Sequence, residues 1–276
     1  MPQLFVRRLV LAASLGLTTA TASLAQVVPP TPPAAADTTH KFENPAGQPA
    51  AVKKPFLQSK GFRATIVPAV LIGYGISTIN GHGLYSSYQA KADLQRNFPN
   101  FRTHIDDYLI FAPYLELGGV LLAGVESRND RLNIGLVILK GELLMTATTF
   151  ATKYLVRNER PDGSDNLSFP SGHTAQAFLA ASIVHTEFRD KSQWYGIGAY
   201  TIATGVGALR MLNNKHWESD VVAGAGFGIL SAHLAYLSHR NRWGRKPIGR
   251  DLGHFNASPL WTPAGGTGLL LTWRPK

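Results

Sequence analysis

Three stretches decide how this chain is read. They are Lys153-Tyr-Leu-Val-Arg-Asn-Glu-Arg160-Pro161, Phe169-Pro170-Ser171-Gly172-His173-Thr174 and Arg210-Met-Leu-Asn-Asn-Lys-His216-Trp-Glu-Ser-Asp220. Each lies at the edge of an apolar run of helical length. Residues 132–156 lead into the first, and 174–188 leave the second. Residues 194–211 lead into the third, and 219–237 leave it. Pro161 biases the residue before it away from helix, which ends the run there. Pro170 closes an irregular segment, and Ser171-Gly172 opens the next helix with serine as its cap. Two further apolar runs, 64–80 and 108–125, precede these four. Alternation at strand period is scarce, and Gly and Pro fall mostly between the runs. The predicted architecture is therefore all-α, six helices packed as a bundle. In an up-and-down bundle all three stretches meet at one end.

What those stretches carry is chemistry for an anion. His216 and Asp220 are four apart, so on a helix they share a face. A carboxylate on one imidazole nitrogen fixes the tautomer and leaves the other nitrogen as a nucleophile. Alone, such a pair is as readily an ordinary surface contact. The second stretch adds backbone N–H groups at a helix start, where an anion is favoured, and Gly172 allows close approach. His173 then stands beside the bound group as a general acid. Lys153, Arg160 and Arg210 supply fixed positive charge suited to the equatorial oxygens of a phosphoryl group in transfer. Lys153 and Arg160 are two turns apart if the helix continues. Pro161 instead places Arg160 at the helix exit, folding back. Arg157, in the same segment, is given no role.

Taken in order, the three stretches resemble the signature of the type 2 phosphatidic acid phosphatase family, related to vanadium haloperoxidases and bacterial non-specific acid phosphatases. That signature is a Lys, six residues, Arg-Pro; then Pro-Ser-Gly-His; then Ser-Arg, five residues, His, three residues, Asp. Lys153, Arg160, Pro161, Pro170 to His173, Arg210, His216 and Asp220 all match, over a body of roughly residues 60–240. Leu209 departs from it, standing where the family has Ser, which leaves open how Arg210 is held. The loop between Pro161 and Pro170 is short, eight residues. The resemblance implies a six-helix bundle of the acid phosphatase and haloperoxidase type. It implies that His216 attacks phosphorus, Asp220 orients it and His173 protonates the leaving oxygen. Lys153, Arg160, Arg210, Ser171 and Gly172 would hold the phosphate, with no metal and no cofactor. The expected substrate is a phosphomonoester or diphosphate, of a lipid or a small phosphoester. A vanadate-dependent haloperoxidase and a non-catalytic envelope protein of the same fold are the alternatives; the second is hard to square with both histidines being present.

The rest of the chain sets the context. Of 276 residues 45% are hydrophobic and only 16% charged, with a formal net charge of +10. The low charge fraction fits a buried helical body or membrane contact, and the basic balance fits anionic partners. No nucleic-acid module is visible. The absence of cysteine excludes disulfides and thiolate metal sites. No carboxylate cluster for Mg²⁺ stands out in the spacing. Arg7-Arg8, an apolar run and Ser23-Leu24-Ala25 read as a signal peptide over residues 1–25, or else as an uncleaved anchor. Residues 26–55 are a Pro/Ala-rich flexible lead-in, 56–240 the helical body and 241–276 a basic tail. Gly268 to Trp273 in that tail is β-prone, an edge strand or a disordered end. Export would place the site on the periplasmic side of a bacterial envelope. Lys53, Lys54, Lys60 and Arg63, with the basic run after the last helix, favour both ends of an integral bundle inside. A cleaved signal places the mature N-terminus outside, so the two topologies conflict. Glu116, Lys140 and Glu142 interrupt the apolar runs. Gly224, Gly226 and Gly228 are read as close helix packing. His82, His104, His185, His233 and His239 lack paired spacing, and Trp217 either walls the site or packs.

Overall fold

The computed structural model describes residues 59–81, 86–241, 244–245, 254–261 and 267–274. The expected signal peptide and lead-in, and His82, lie outside the described residues. The described helices are α1 (Lys60–Thr78), α2 (Ser87–Asn97), α3 (Ile105–Leu109), α4 (Ala112–Leu122), α5 (Arg131–Val156), α6 (Gly172–Phe188), α7 (Gln193–Leu212) and α8 (Glu218–Ser238). Six of them follow the six apolar runs. The run over 108–125 breaks around Ile110 and Phe111, and Pro113 sits in the first turn of α4, where a missing N–H costs nothing. Two helices are additional: α3, the short piece ahead of that break, and α2, which is polar, with Ser86 and Gln89 closing a reciprocal capping box at its start.

The bundle is organised around α6. It packs against α4, α5, α7 and α8, while α1 lies on α8. Leu179, Ile183, Val184 and Phe188 of α6 are fully buried, together with Val137 of α5 and Ala203 and Val206 of α7. A helix apolar on all sides is stable only when neighbours cover all of it. Small residues permit the tight contact. A Cβ on Gly228 would lie 2.2 Å from the Ala175 carbonyl oxygen, and one on Gly224 2.6 Å from that of Ser171. On the other face of α8 a Cβ on Gly226 would meet Ile72 of α1 at 2.7 Å. These glycines are where backbones touch, as the packing reading expected.

Two of the charged interruptions find partners. Glu142 accepts the Tyr114 hydroxyl at 2.6 Å, and Lys140 donates to the Ser238 carbonyl at 3.2 Å. Helices α5 and α8 are long and apolar enough to cross a membrane, by length and composition. Leu132, Leu139, Leu143, Phe150 and Leu155 of α5 are exposed. Beyond the helices, β1 (His254–Trp261) pairs antiparallel with β2 (Thr267–Arg274), from His254 opposite Arg274 to Trp261 opposite Thr267. The β-prone tail is thus a strand. Its partner, which contains Pro259, lacks the alternation that marks strands in sequence.

Candidate active site

At the entry to α8 the chain turns from loop to helix. Trp217 is the N-cap, so His216 precedes the helix that carries Asp220. The four-residue spacing still brings them together, but through the turn and not along a helix face. Asp220 Oδ2 accepts the Trp217 backbone N–H at 2.9 Å and stands 3.3 Å from His216 Nδ1. The Ser168 hydroxyl donates to the same carboxylate oxygen and lies 3.4 Å from His216 Nδ1. Asp220 is fully buried and His216 is 4% exposed. A carboxylate at Nδ1 places the proton there and leaves the Nε2 lone pair available. Burial pushes the His216 pKa down to about 4; Asp220 pulls it up, and Arg160 and Lys153 push it further down. The imidazole is held neutral, the state a nucleophile needs.

The start of α6 faces this pair. Ser171 is its N-cap, as expected. Its hydroxyl accepts the Thr174 N–H and the Thr174 hydroxyl, and its own N–H donates to the Asp220 carbonyl at 2.9 Å. This corrects the expectation for Ser171. Its backbone donor is engaged by α8 and its side chain by α6, so it holds the site together instead of offering an N–H to an anion. Gly172 and His173, the first residues of the helix proper, have no carbonyl one turn back within it.

The cations arrive from three directions. Lys153, buried in the last turn of α5, donates to the carbonyls of Leu167 and Ser168. Helix α5 ends at Val156, and Arg157 closes it in the left-handed region at φ 52°. Lys153 and Arg160 therefore do not share a helix face. Arg160 lies in the loop beyond, as Pro161 implied, and pairs through Nε with Asp165 at 2.8 Å. The short loop is closed on itself. Arg160 N–H donates to the Asp165 carbonyl at 2.9 Å, Ser168 N–H to the Asn158 carbonyl at 2.9 Å, and Asp162 pairs with Lys215 at 2.6 Å. Lys215 and the Ser164 groups hold Asp162 down to about 2 against its burial. Arg210, 9% exposed in the last turn of α7, keeps a buried Nε with no partner in the protein. An unsatisfied guanidinium nitrogen beside a basic cluster fits an incoming oxyanion. Residues 153, 160, 210, 216 and 220 thus come from four separate segments into one electrostatic neighbourhood.

Residues 135–244 match the family model described as PAP2 superfamily. The chain resembles that family over those residues. It is 38% identical over 138 residues to the lipid A 1-phosphatase of Porphyromonas gingivalis, covering 50% of this chain and 31% of that protein. The chain thus spans about a third of the length of that curated relative. Two solved structures are also similar. Aquifex aeolicus LpxE is 21% identical with a TM-score of 0.38, over 53% of this chain and 93% of its own. A transmembrane PAP2 type phosphatidylglycerolphosphate phosphatase from Bacillus subtilis is 19% identical with a TM-score of 0.41, over 64% and 99%.

Two further residues sit at the edge of this site, and sequence reading missed both. Asp106 and Asp107, on the short helix α3, reach it from the first half of the chain. Asp106, fully buried, accepts Arg210 Nη1 at 2.7 Å and Asn213 Nδ2 at 3.0 Å. This answers how Arg210 is held with Leu209 beside it. Asp107 Oδ1 accepts His173 Nε2 at 2.8 Å. Asp106, Asp107 and His173 bring three donor atoms within 4.8 Å of one another, a cluster that residue spacing did not reveal. Arg210 and Asn213 already take both oxygens of Asp106, so the cluster is ion-paired and not arranged around a cation. No fixed spacing links these aspartates to the signature, 104 residues away in the case of Arg210.

Trp217 both walls and packs. It lines a small cavity beside His216 with Ser87, Lys91 and Glu218, and donates Nε1–H to the Glu159 carbonyl at 2.7 Å. Of the histidines outside the signature, His239 packs on Asn133 at 2.9 Å, and His104 is an exposed partner of Asp107 at 3.3 Å.

Proposed function

We propose that this chain is a PAP2-type phosphatase that hydrolyses the phosphate of a phosphorylated lipid through a phosphohistidine on His216. The observation that carries the reading is the buried His216–Asp220 pair, neutral and oriented, beside Lys153 and Arg160. His216 Nε2 attacks phosphorus, the P–O bond to the leaving group breaks, and His173 gives that oxygen a proton. Water then attacks phosphorus, the P–N bond breaks, and the proton from water returns to His173. Lys153, Arg160, Arg210 and the N–H groups of Gly172 and His173 hold the equatorial oxygens. These cations supply the charge a metal would give, so turnover survives a chelator.

A lipid substrate is supported by the lipid A 1-phosphatase relative and by the exposed apolar face of α5. We place α5 and α8 in contact with a membrane and, on the N-terminal sequence of residues 1–25, the site on its periplasmic side. The mass of the mature N-terminus tests the export step. Phosphate release from phosphatidate, phosphatidylglycerophosphate, undecaprenyl diphosphate and lipid A, set against a soluble aryl phosphate, tests the substrate class. A His216→Ala protein that keeps full turnover would sink the mechanism. Bromination on adding vanadate would favour a haloperoxidase.

A further inference from the structure

His216 and His173 are supported in the same way. Each ring has one nitrogen against a buried or half-buried carboxylate and the other left over. For His216 the carboxylate is Asp220, four residues away; for His173 it is Asp107, from another element 66 residues away. A carboxylate only accepts, so the 2.8 Å contact places a proton on His173 Nε2. The remaining nitrogen, Nδ1, is then the one with a proton to give.

A general acid in this place has a difficulty. His173 is half-buried near Arg210, and both burial and that guanidinium disfavour its charged form, pushing its pKa below the usual range. The charged groups that act on it are Arg210 from α7 and Asp107 and Asp106 from α3. Asp106 is committed to Arg210 and Asn213. Asp107 is the one carboxylate among these in contact with the ring. Its own pKa is held below the carboxylate range, chiefly by the His173 hydrogen bond.

We propose that Asp107 is the positioning residue of His173: its carboxylate fixes the ring and retains the imidazolium until the leaving group takes the Nδ1 proton. The step balances. The Nδ1–H bond breaks as the leaving oxygen gains the proton, Nε2–H stays on Asp107, and water returns a proton to Nδ1 in the second half-reaction. This rests on the reading of His173 as general acid. The two neighbouring aspartates divide the labour, Asp106 holding the phosphate-binding guanidinium and Asp107 the proton donor.

The test uses the full-length protein in detergent, a phosphorylated alkyl lipid and an aryl phosphate whose phenolate leaves without help. In Asp107→Asn, kcat on the alkyl substrate falls roughly tenfold to hundredfold, and the aryl substrate loses much less. The alkaline limb of the kcat profile moves to lower pH by roughly one to two units, because the charge that favoured the imidazolium is gone. Asp107→Glu recovers the limb. Asp106→Asn instead raises KM for both substrates alike and leaves the limb in place. The proposal is overturned if Asp107→Asn keeps the wild-type limb, or loses both substrates equally. Should that variant fail to accumulate, Asp107→Ser reads the same limb. His173→Ala separates the two ideas. If it spares the aryl substrate while Asp107→Asn behaves as wild type, the general acid stands and Asp107 is no part of it. If it shows no preference between substrates, the general-acid reading itself falls, and the proposal with it.

Discussion

The two sides of the site are built differently. On the α6–α8 side, His216, Asp220, Ser168 and Ser171 are buried, drawn from two short stretches of the chain and linked by hydrogen bonds. On the α3–α7 side, Asp106, Asp107, His173 and Arg210 come from three helices and meet in polar pairs, and the site opens to solvent at Asp107, whose side chain is 45% exposed. One side holds its histidine neutral by dehydrating it. The other surrounds its histidine with charges of both signs. In the proposed mechanism the nucleophile and the proton donor need opposite protonation states in one cavity, and the different surroundings of the two histidines fit that division.

Breaking the buried side has the largest expected effect. Asp220→Asn leaves the hydrogen-bond geometry nearly intact but favours the wrong tautomer of His216, and kcat falls on the order of 10³-fold or more. Steady-state turnover on a lipid phosphate checks it. On the charged side, Asp106→Ala leaves Arg210 buried without its partner, and the fold loses about 3–5 kcal/mol. Denaturant or thermal unfolding in detergent measures that loss. The pH response sharpens the contrast further. His216 is neutral in the fold down to about pH 4, so the acid limb of turnover lies near there. The sign for stability follows. As pH falls below about 6.5 the unfolded chain takes up a proton that folded His216 does not. Stability is therefore lost progressively between about 6.5 and about 4, and a pH series of unfolding midpoints shows it. The smallest effect is expected at the rim. Lys215→Ala removes a half-exposed pair with Asp162 and costs under about 1 kcal/mol, with KM little changed.

Legibility from sequence followed distance along the chain. The six apolar runs located the long helices to within a few residues, because burial on a helical period is written locally. Ser171 was readable as a cap, yet its N–H turned out to be engaged by Asp220, a contact made only when α6 packs on α8. Lys153 and Arg160 left two arrangements open, and the left-handed Arg157 decided between them. Gly224 and Gly228 were readable as packing residues, but not which carbonyls they touch. The strand β1 escaped notice because its pairing, not its pattern, defines it.

By itself, the sequence determined the signature and its order: a histidine and an aspartate four apart, a helix start with glycine, and three cations at helix ends. Short spacing imposes such relations, since the backbone has few ways to turn within four residues. Only the tertiary structure decided that Asp106 holds Arg210 and Asp107 holds His173. Those pairs join residues 104 and 66 positions apart. Contacts at that separation depend on how whole helices pack, and packing is a property of all the buried faces together.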